Sequence, residues 1–144
     1  TVHFIGQLQR NKVRHLAAHV DVWQSVDRPE LATEIAKRAP GARIMLQVDI
    51  SGEETKGGVE PADLDPLLEH SAELGLDVIG LMGVAILAEP TASRPGFRLL
   101  RSLVDAHGLD HCCMGMSADL KIAVEEGSTM IRVGTQLFGE RARR

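Results

Sequence analysis

Apolar positions along the chain follow two spacings in turn. Short runs at residues 20–26, 44–50, 78–84, 111–116 and 129–133 read as strands, and 44–50, nearly all apolar, is what a strand covered on both faces should be. Val2-His3-Phe4-Ile5-Gly6 reads the same way, with nothing in front of it. Between these runs the apolar residues recur at helical spacing. Val13, Leu16 and Ala17 follow a possible cap at Asn11. Leu31, Ile35 and Ala36 run to about Arg38 and stop at Pro40-Gly41. A third helix spans 62–74, opened near Pro61. Phe97, Leu99, Leu100, Leu103 and Val104 lead to His107-Gly108, and Leu120, Ile122 and Val124 to Gly127. Asp27-Arg28-Pro29-Glu30 supplies an N-cap, an early-turn proline and a capping-box acid in succession. Strand and helix thus alternate about six times with short connections, a pattern that requires parallel strands and right-handed crossovers.

Size limits what this pattern can build. The 144 residues suffice for one α/β domain with a real core. They fall short of the roughly 250 of a complete (β/α)8 barrel. A net charge of −4 and a pI near 5.8 argue against non-specific nucleic-acid binding. The basic end Arg141-Ala142-Arg143-Arg144 reads as a solvated terminus. Aromatic side chains are few, namely Phe4, Trp23, Phe97 and Phe138, so no stacking platform is expected. The longest apolar run, 78–88, is interrupted by glycines and too short to span a bilayer. No signal peptide or lipidation motif is visible. Cys112 and Cys113 are neighbours on a strand, so their side chains point to opposite faces and no disulfide is expected between them. That usage suits a reducing, cytoplasmic compartment. The chain is expected to be a monomer or weak homo-oligomer, with a small molecule as its partner and neither nucleic acid nor membrane.

Candidate chemistry gathers at the last two strand ends. Gly115-Met116-Ser117 leads into Ser117-Ala118-Asp119-Leu120, where the early backbone N–H groups of a helix lack internal partners and a phosphate can take them. After the next strand, Gly134 lets an oxygen approach the main chain closely while the Thr135 hydroxyl donates. In closed barrels the commonest phosphate site lies after the last two strands. Plainer readings exist: Ser117 and Thr135 as ordinary N-caps, and Arg132 as half of an ion pair with a buried carboxylate. Yet a guanidinium inside Met130-Ile131-Arg132-Val133 is costly unless something anionic or strongly accepting meets it. His15 and His19 stand at metal-ligand spacing without a third ligand, and read as solvated. The glycine-rich loop 51–58 is not a Walker loop, and its Lys56 reads as an exposed loop lysine. Met82 reads as core filler.

Five ordered blocks carry a resemblance over essentially the whole chain. They are His3-Phe4-Ile5-Gly6-Gln7-Leu8-Gln9-Arg10-Asn11-Lys12, Ile50-Ser51-Gly52-Glu53-Glu54-Thr55-Lys56-Gly57-Gly58, Gly80-Leu81-Met82, Gly115-Met116-Ser117-Ala118-Asp119, and the run from Gly127-Ser128-Thr129 through Arg132-Val133-Gly134-Thr135 to Gly139. In these the chain resembles the pyridoxal phosphate homeostasis protein family, whose members are similar to the N-terminal barrel domain of alanine racemase. The resemblance implies a TIM-type (β/α)8 barrel of which about six of the eight units are present as a single partial domain, the first two being absent. It also implies pyridoxal 5'-phosphate as cofactor. Ser117, Gly134 and Thr135 would form the phosphate cup, Arg132 would lie near the pyridine nitrogen and Met116 beside the ring. The family's Schiff-base lysine belongs to an absent unit, and Lys12, Lys37, Lys56 and Lys121 lack the context to replace it. Asp49 departs from an asparagine of relatives. The implied function is non-catalytic binding of the cofactor in intracellular vitamin B6 and amino-acid homeostasis. The alternative is a racemase-like enzyme, or another phosphate-binding barrel isomerase or aldolase.

Overall fold

The computed structural model describes residues 1–53, 56–86 and 90–139. The basic end at 141–144 lies outside them, as do Glu54 and Thr55 of the loop 51–58. Five strands form one parallel sheet in chain order: β1 (His3–Phe4), β2 (Val22–Val26), β3 (Arg43–Val48), β4 (Asp77–Gly83) and β5 (His111–Cys113). The connecting helices are α1 (Val13–Leu16), α2 (Pro29–Arg38), α3 (Leu64–Glu73) and α4 (Arg94–Ala106), then α5 (Leu120–Glu125) and the single turn α6 (Thr135–Phe138). An incomplete barrel is what a sheet of consecutive parallel neighbours with helices between them makes. Among the described residues no helix is long and apolar enough to cross a membrane.

Period-two alternation divides the core into two layers. Trp23, Ile44, Leu46, Val48, Leu81, Cys112 and Met114 pack outward with Leu31, Ile35, Leu64, Leu67, Phe97, Leu100 and Val104 of the helices. Their neighbours Val22, Met45, Met82 and Cys113 point inward and form a second, smaller cluster with Ile79, Val84 and Met130. Every buried member of that inner cluster is at most 1% exposed, so the sheet curls enough to keep its concave face dry. The two free thiols fall on opposite layers, as alternation requires.

Several expected elements come out differently. The expected strand at 129–133 is a single parallel bridge between Met130 and Cys113. There Met130 N–H donates to the Cys112 carbonyl at 3.2 Å, and Met114 N–H to the Met130 carbonyl at 3.1 Å. Beyond it Gly115, at φ 94°, turns the chain away, and Arg132 N–H donates to the Gly115 carbonyl instead. The regular ladder therefore ends where the glycine begins its turn. The helix expected after Asn11 opens as a 3-10 turn, Arg10–Lys12. Asp27 does not cap α2: the N-cap is Arg28, without a side-chain cap bond, and Asp27 instead pairs with the Arg28 guanidinium at 2.5 Å.

Two contacts fix the site-bearing end. Arg94 pairs with Glu125 at 2.6 Å and with Glu126, and Arg98 pairs with Glu126 at 2.9 Å, so α5 is clasped to α4. At Gly80, paired with His111, an added Cβ would overlap the His111 carbonyl oxygen. β4 and β5 approach each other there more closely than any side chain permits. Gly80→Ala is therefore expected to destabilise the chain by about 1–3 kcal/mol. A thermal midpoint several degrees lower in calorimetry checks this.

Candidate functional site

Two turns at the carboxyl ends of the last strands build the site. In the first, an added Cβ at Gly115 would overlap the Ala123 methyl, so both its positive φ and the closeness of α5 demand glycine. The buried Asp119 shapes the rest of this turn. Its Oδ1 accepts the Met116 N–H at 2.6 Å, its own N–H donates to the Met116 carbonyl at 3.2 Å, and Ser93 Oγ donates to its Oδ2 at 3.4 Å. That ring leaves the Ser117 and Ala118 N–H groups without an acceptor among the described residues. In the second turn the Gly134 carbonyl accepts from Leu137 and Phe138 at 2.9 Å, which starts α6 and leaves the Gly134 and Thr135 N–H groups free in the same sense. Gln136 Nε2 donates to the Ser117 carbonyl at 3.0 Å and ties the two turns together. Neither Ser117 nor Thr135 caps a helix: the N-caps of α5 and α6 are Asp119 and Gly134, without side-chain cap bonds.

Arg132 lies between these turns and the barrel interior. Its Nη1 donates to the Cys113 carbonyl at 3.3 Å and to Cys113 Sγ at 3.2 Å, and its Nη2 to the Gly83 carbonyl at 2.9 Å. No carboxylate lies within ion-pair distance of it among the described residues, so the structural ion pair considered for this residue is not what holds it. Two main-chain carbonyls and a sulfur carry a full positive charge to the edge of a groove. Burial pushes the Cys113 thiol upward despite the guanidinium, and raises Cys112 to about 11, so both remain thiols at neutral pH.

The groove has a volume of about 900 Å3. Met116, Ser117, Arg132, Gly134 and Thr135 all line it, joined by His3 and Ile5 from β1 and its exit and by Gln24 from β2. Gln24 is the residue that sequence reasoning passed over. Only 1% exposed, it places Nε2 against His3 Nδ1 at 3.0 Å, Met45 Sδ at 3.3 Å and Met130 Sδ at 2.7 Å. Its Oε1 faces the Cys113 thiol at 3.9 Å. Acceptors surround the nitrogen and a weak donor faces the oxygen, which assigns the amide orientation from its surroundings. The neutral tautomer that suits this amide has Nδ1 as acceptor and N–H at Nε2. No signal in the residues singles it out, because the run 20–26 also carries Asp21 and Ser25.

Beside the groove, the loop after β3 folds back over the barrel end. Gln47 Nε2 donates to the Gly57 carbonyl, and Lys56 Nζ donates to the Ala85 carbonyl while pairing with Glu53 at 3.2 Å. Lys56 is thus a clasp with only 14% of its side chain exposed, unlike the solvated lysine expected. Asp49 Oδ1 accepts from Ser51 N–H and Oγ at 2.9 Å and from Gly52 N–H at 3.0 Å, a turn an asparagine oxygen would hold equally. Partial burial pushes the Asp49 carboxyl up, but the Ser51 and Gly52 donors, helped by Lys56, outweigh it and hold the group below the usual range.

Comparison with known proteins gives this geometry a lineage. The family model for the alanine racemase N-terminal domain matches residues 2–142. The chain belongs to that family. It is 48% identical over 151 residues to the pyridoxal phosphate homeostasis protein of Aquifex aeolicus, covering 96% of this chain and 66% of that protein. Against PipY of Synechococcus elongatus, in a structure with pyridoxal phosphate bound, it is 35% identical with a TM-score of 0.83, covering 95% of this chain and 69% of that one. Alanine racemase of Clostridium difficile, 17% identical with a TM-score of 0.71 over 98% of this chain and 40% of that one, shares the fold. The chain therefore spans 66% of the Aquifex relative's length.

Two outcomes are expected. The imidazole 15N shifts of His3 should show the Nε2–H tautomer, and Gln24→Leu should return it to a mixture. Because the folded pKa of Asp49 is depressed, its contribution to the loop is present above the unfolded value near 3.8 and is lost as pH falls through the folded value. Hydrogen-exchange protection of the Ser51 and Gly52 amides should accordingly drop only in that acid range, and stay flat there in Asp49→Asn.

Proposed function

We propose that this chain binds pyridoxal 5'-phosphate in the groove without a covalent bond to it, and serves to hold and hand on the cofactor in vitamin B6 and amino-acid homeostasis. One observation carries the reading: a single groove is lined by two hydroxyl side chains, by four residues whose N–H groups have no acceptor among the described residues, and by a guanidinium with no carboxylate partner among them. Such a set matches a phosphate attached to a polar aromatic ring. Ser117, Ala118, Gly134 and Thr135 would take the phosphate, Met116 would lie along the ring, and Arg132 would face its nitrogen. Gln136 and Asp119 keep the two turns in register for that task. The cofactor, when bound, supplies a reactive aldehyde and an electron-withdrawing ring.

Arg132 decides between holding and turnover. A guanidinium does not give up its proton, so a ring nitrogen facing it stays unprotonated and draws electrons weakly. That favours storage over racemase-like chemistry. Among the described residues no lysine lines the groove. The same cofactor is named for the Aquifex relative and for the Synechococcus structure. Two buried free thiols fit a reducing cytoplasm.

Titration with pyridoxal phosphate, monitored by cofactor absorbance and thermal shift, tests this. Ser117→Ala or Thr135→Val is expected to weaken binding by about tenfold, the loss of one charge-assisted hydrogen bond. Dialysis should remove the cofactor, and borohydride should trap it on no single lysine. Parent-like affinity in both variants would show that the cup is elsewhere.

A further inference from the structure

A second cavity, of about 660 Å3, opens on the other side of β1, between the loop after that strand, α1 and the β2–α2 turn. Its size falls within the range of small-molecule sites. Phe4, Leu8 and Leu16 make its apolar wall, and Lys12, Asp27 and Arg28 its charged one. Arg28 is fixed in place, donating from Nη1 to Asp27 Oδ1 at 2.5 Å and from Nη2 to the Leu8 carbonyl at 2.7 Å. That pair cancels its own charge. His15, also on the wall, accepts the Arg14 Nε–H at its Nε2 at 3.0 Å. Lys12 remains, with no carboxylate in ion-pair reach among the described residues. The surrounding field reinforces it: residues 1–20 contain Arg10, Lys12 and Arg14 and no acid, in a chain of net charge −4.

We propose that this cleft is a binding site for a small organic monocarboxylate with an apolar body. One uncompensated ammonium matches one carboxylate, the wall of Phe4, Leu8 and Leu16 takes the hydrocarbon, and the side-chain amides of Gln7 and Gln9 line the polar margin. A phosphate dianion is served far better by the groove, with its guanidinium and its N–H groups that have no acceptor among the described residues, so the two cavities divide anions by charge and shape. The site is independent of pyridoxal phosphate binding. Gln7 connects it to the barrel mouth, because it also lines the small cavity beside Gln47 and Lys56.

The chain contains its own reporter. Trp23 is the sole tryptophan and tyrosine is absent. Its ring centroid lies 6.0 Å from that of Phe4. Titration with 3-phenylpropanoate, read by Trp23 emission and in parallel by equilibrium dialysis, should give saturable binding with a Kd below about 1 mM. The exposed Lys12 should tolerate replacement, and Lys12→Met should weaken binding at least about tenfold, as should using neutral 3-phenylpropanamide as the probe. Thr135→Glu, which places a negative charge at the groove, should leave it unchanged. Absence of saturation in both measurements, an unchanged Kd in Lys12→Met, or loss of binding in Thr135→Glu would each overturn the proposal.

Discussion

The amide of Gln24 is the contact on which the rest of this structure depends. A curled parallel sheet leaves a dry concave face, and a polar group placed there without partners costs about 1–3 kcal/mol. Gln24 meets that cost by reaching across the interior to Met130, far away in sequence, while also holding Met45 and His3. The last segment of the chain is thereby seated against the inside of the sheet, although it forms only one bridge with β5. Arg132 takes its place from that seating: two residues beyond Met130, it can reach the Cys113 and Gly83 carbonyls.

The same economy governs the electrostatics. Carbonyl dipoles and a thiol stabilise the Arg132 charge without neutralising it, so its attraction for an anion survives folding. By contrast, the chain's other arginines near the site are spent on structure. Arg94 and Arg98 hold Glu125 and Glu126, and with them the helix behind the first turn. Arg98 and Arg94 keep the Glu126 carboxyl below its usual range, so this clasp is present at neutral pH. A site that binds through donors of fixed position needs such backing, since mobile donors would lose in ordering much of what they gain in contact.

Much of this could be read in the residues. Uniform apolar runs and helical spacing place the strands and most helices, and the glycines at 115 and 134 with their neighbouring hydroxyls mark the two turns. What was hidden is of one kind. Asp119, Gln136 and Gln24 act through partners distant in sequence or through a turn whose shape is not local, and a glutamine or an aspartate carries no periodic signal. Asp27 shows the converse: its N-cap signature is locally complete, yet an adjacent guanidinium wins the carboxylate. The strand expected at 129–133 has suitable residues, but its partner β5 stops at Cys113, and a strand extends no further than the edge it pairs with.

The sulfur contacts at the centre have a redox consequence. Met130 is half-buried against the groove, whereas Met45 is fully enclosed, so an oxidant arriving from the groove meets Met130 first. A sulfoxide oxygen accepts hydrogen bonds far more strongly than a thioether and is bulkier. It would draw the amide protons of Gln24 away from the imidazole beside it, and would push against the segment carrying the guanidinium. Oxidative damage at one methionine would then be felt at the groove beside Arg132, and a sulfoxide reductase could reverse it.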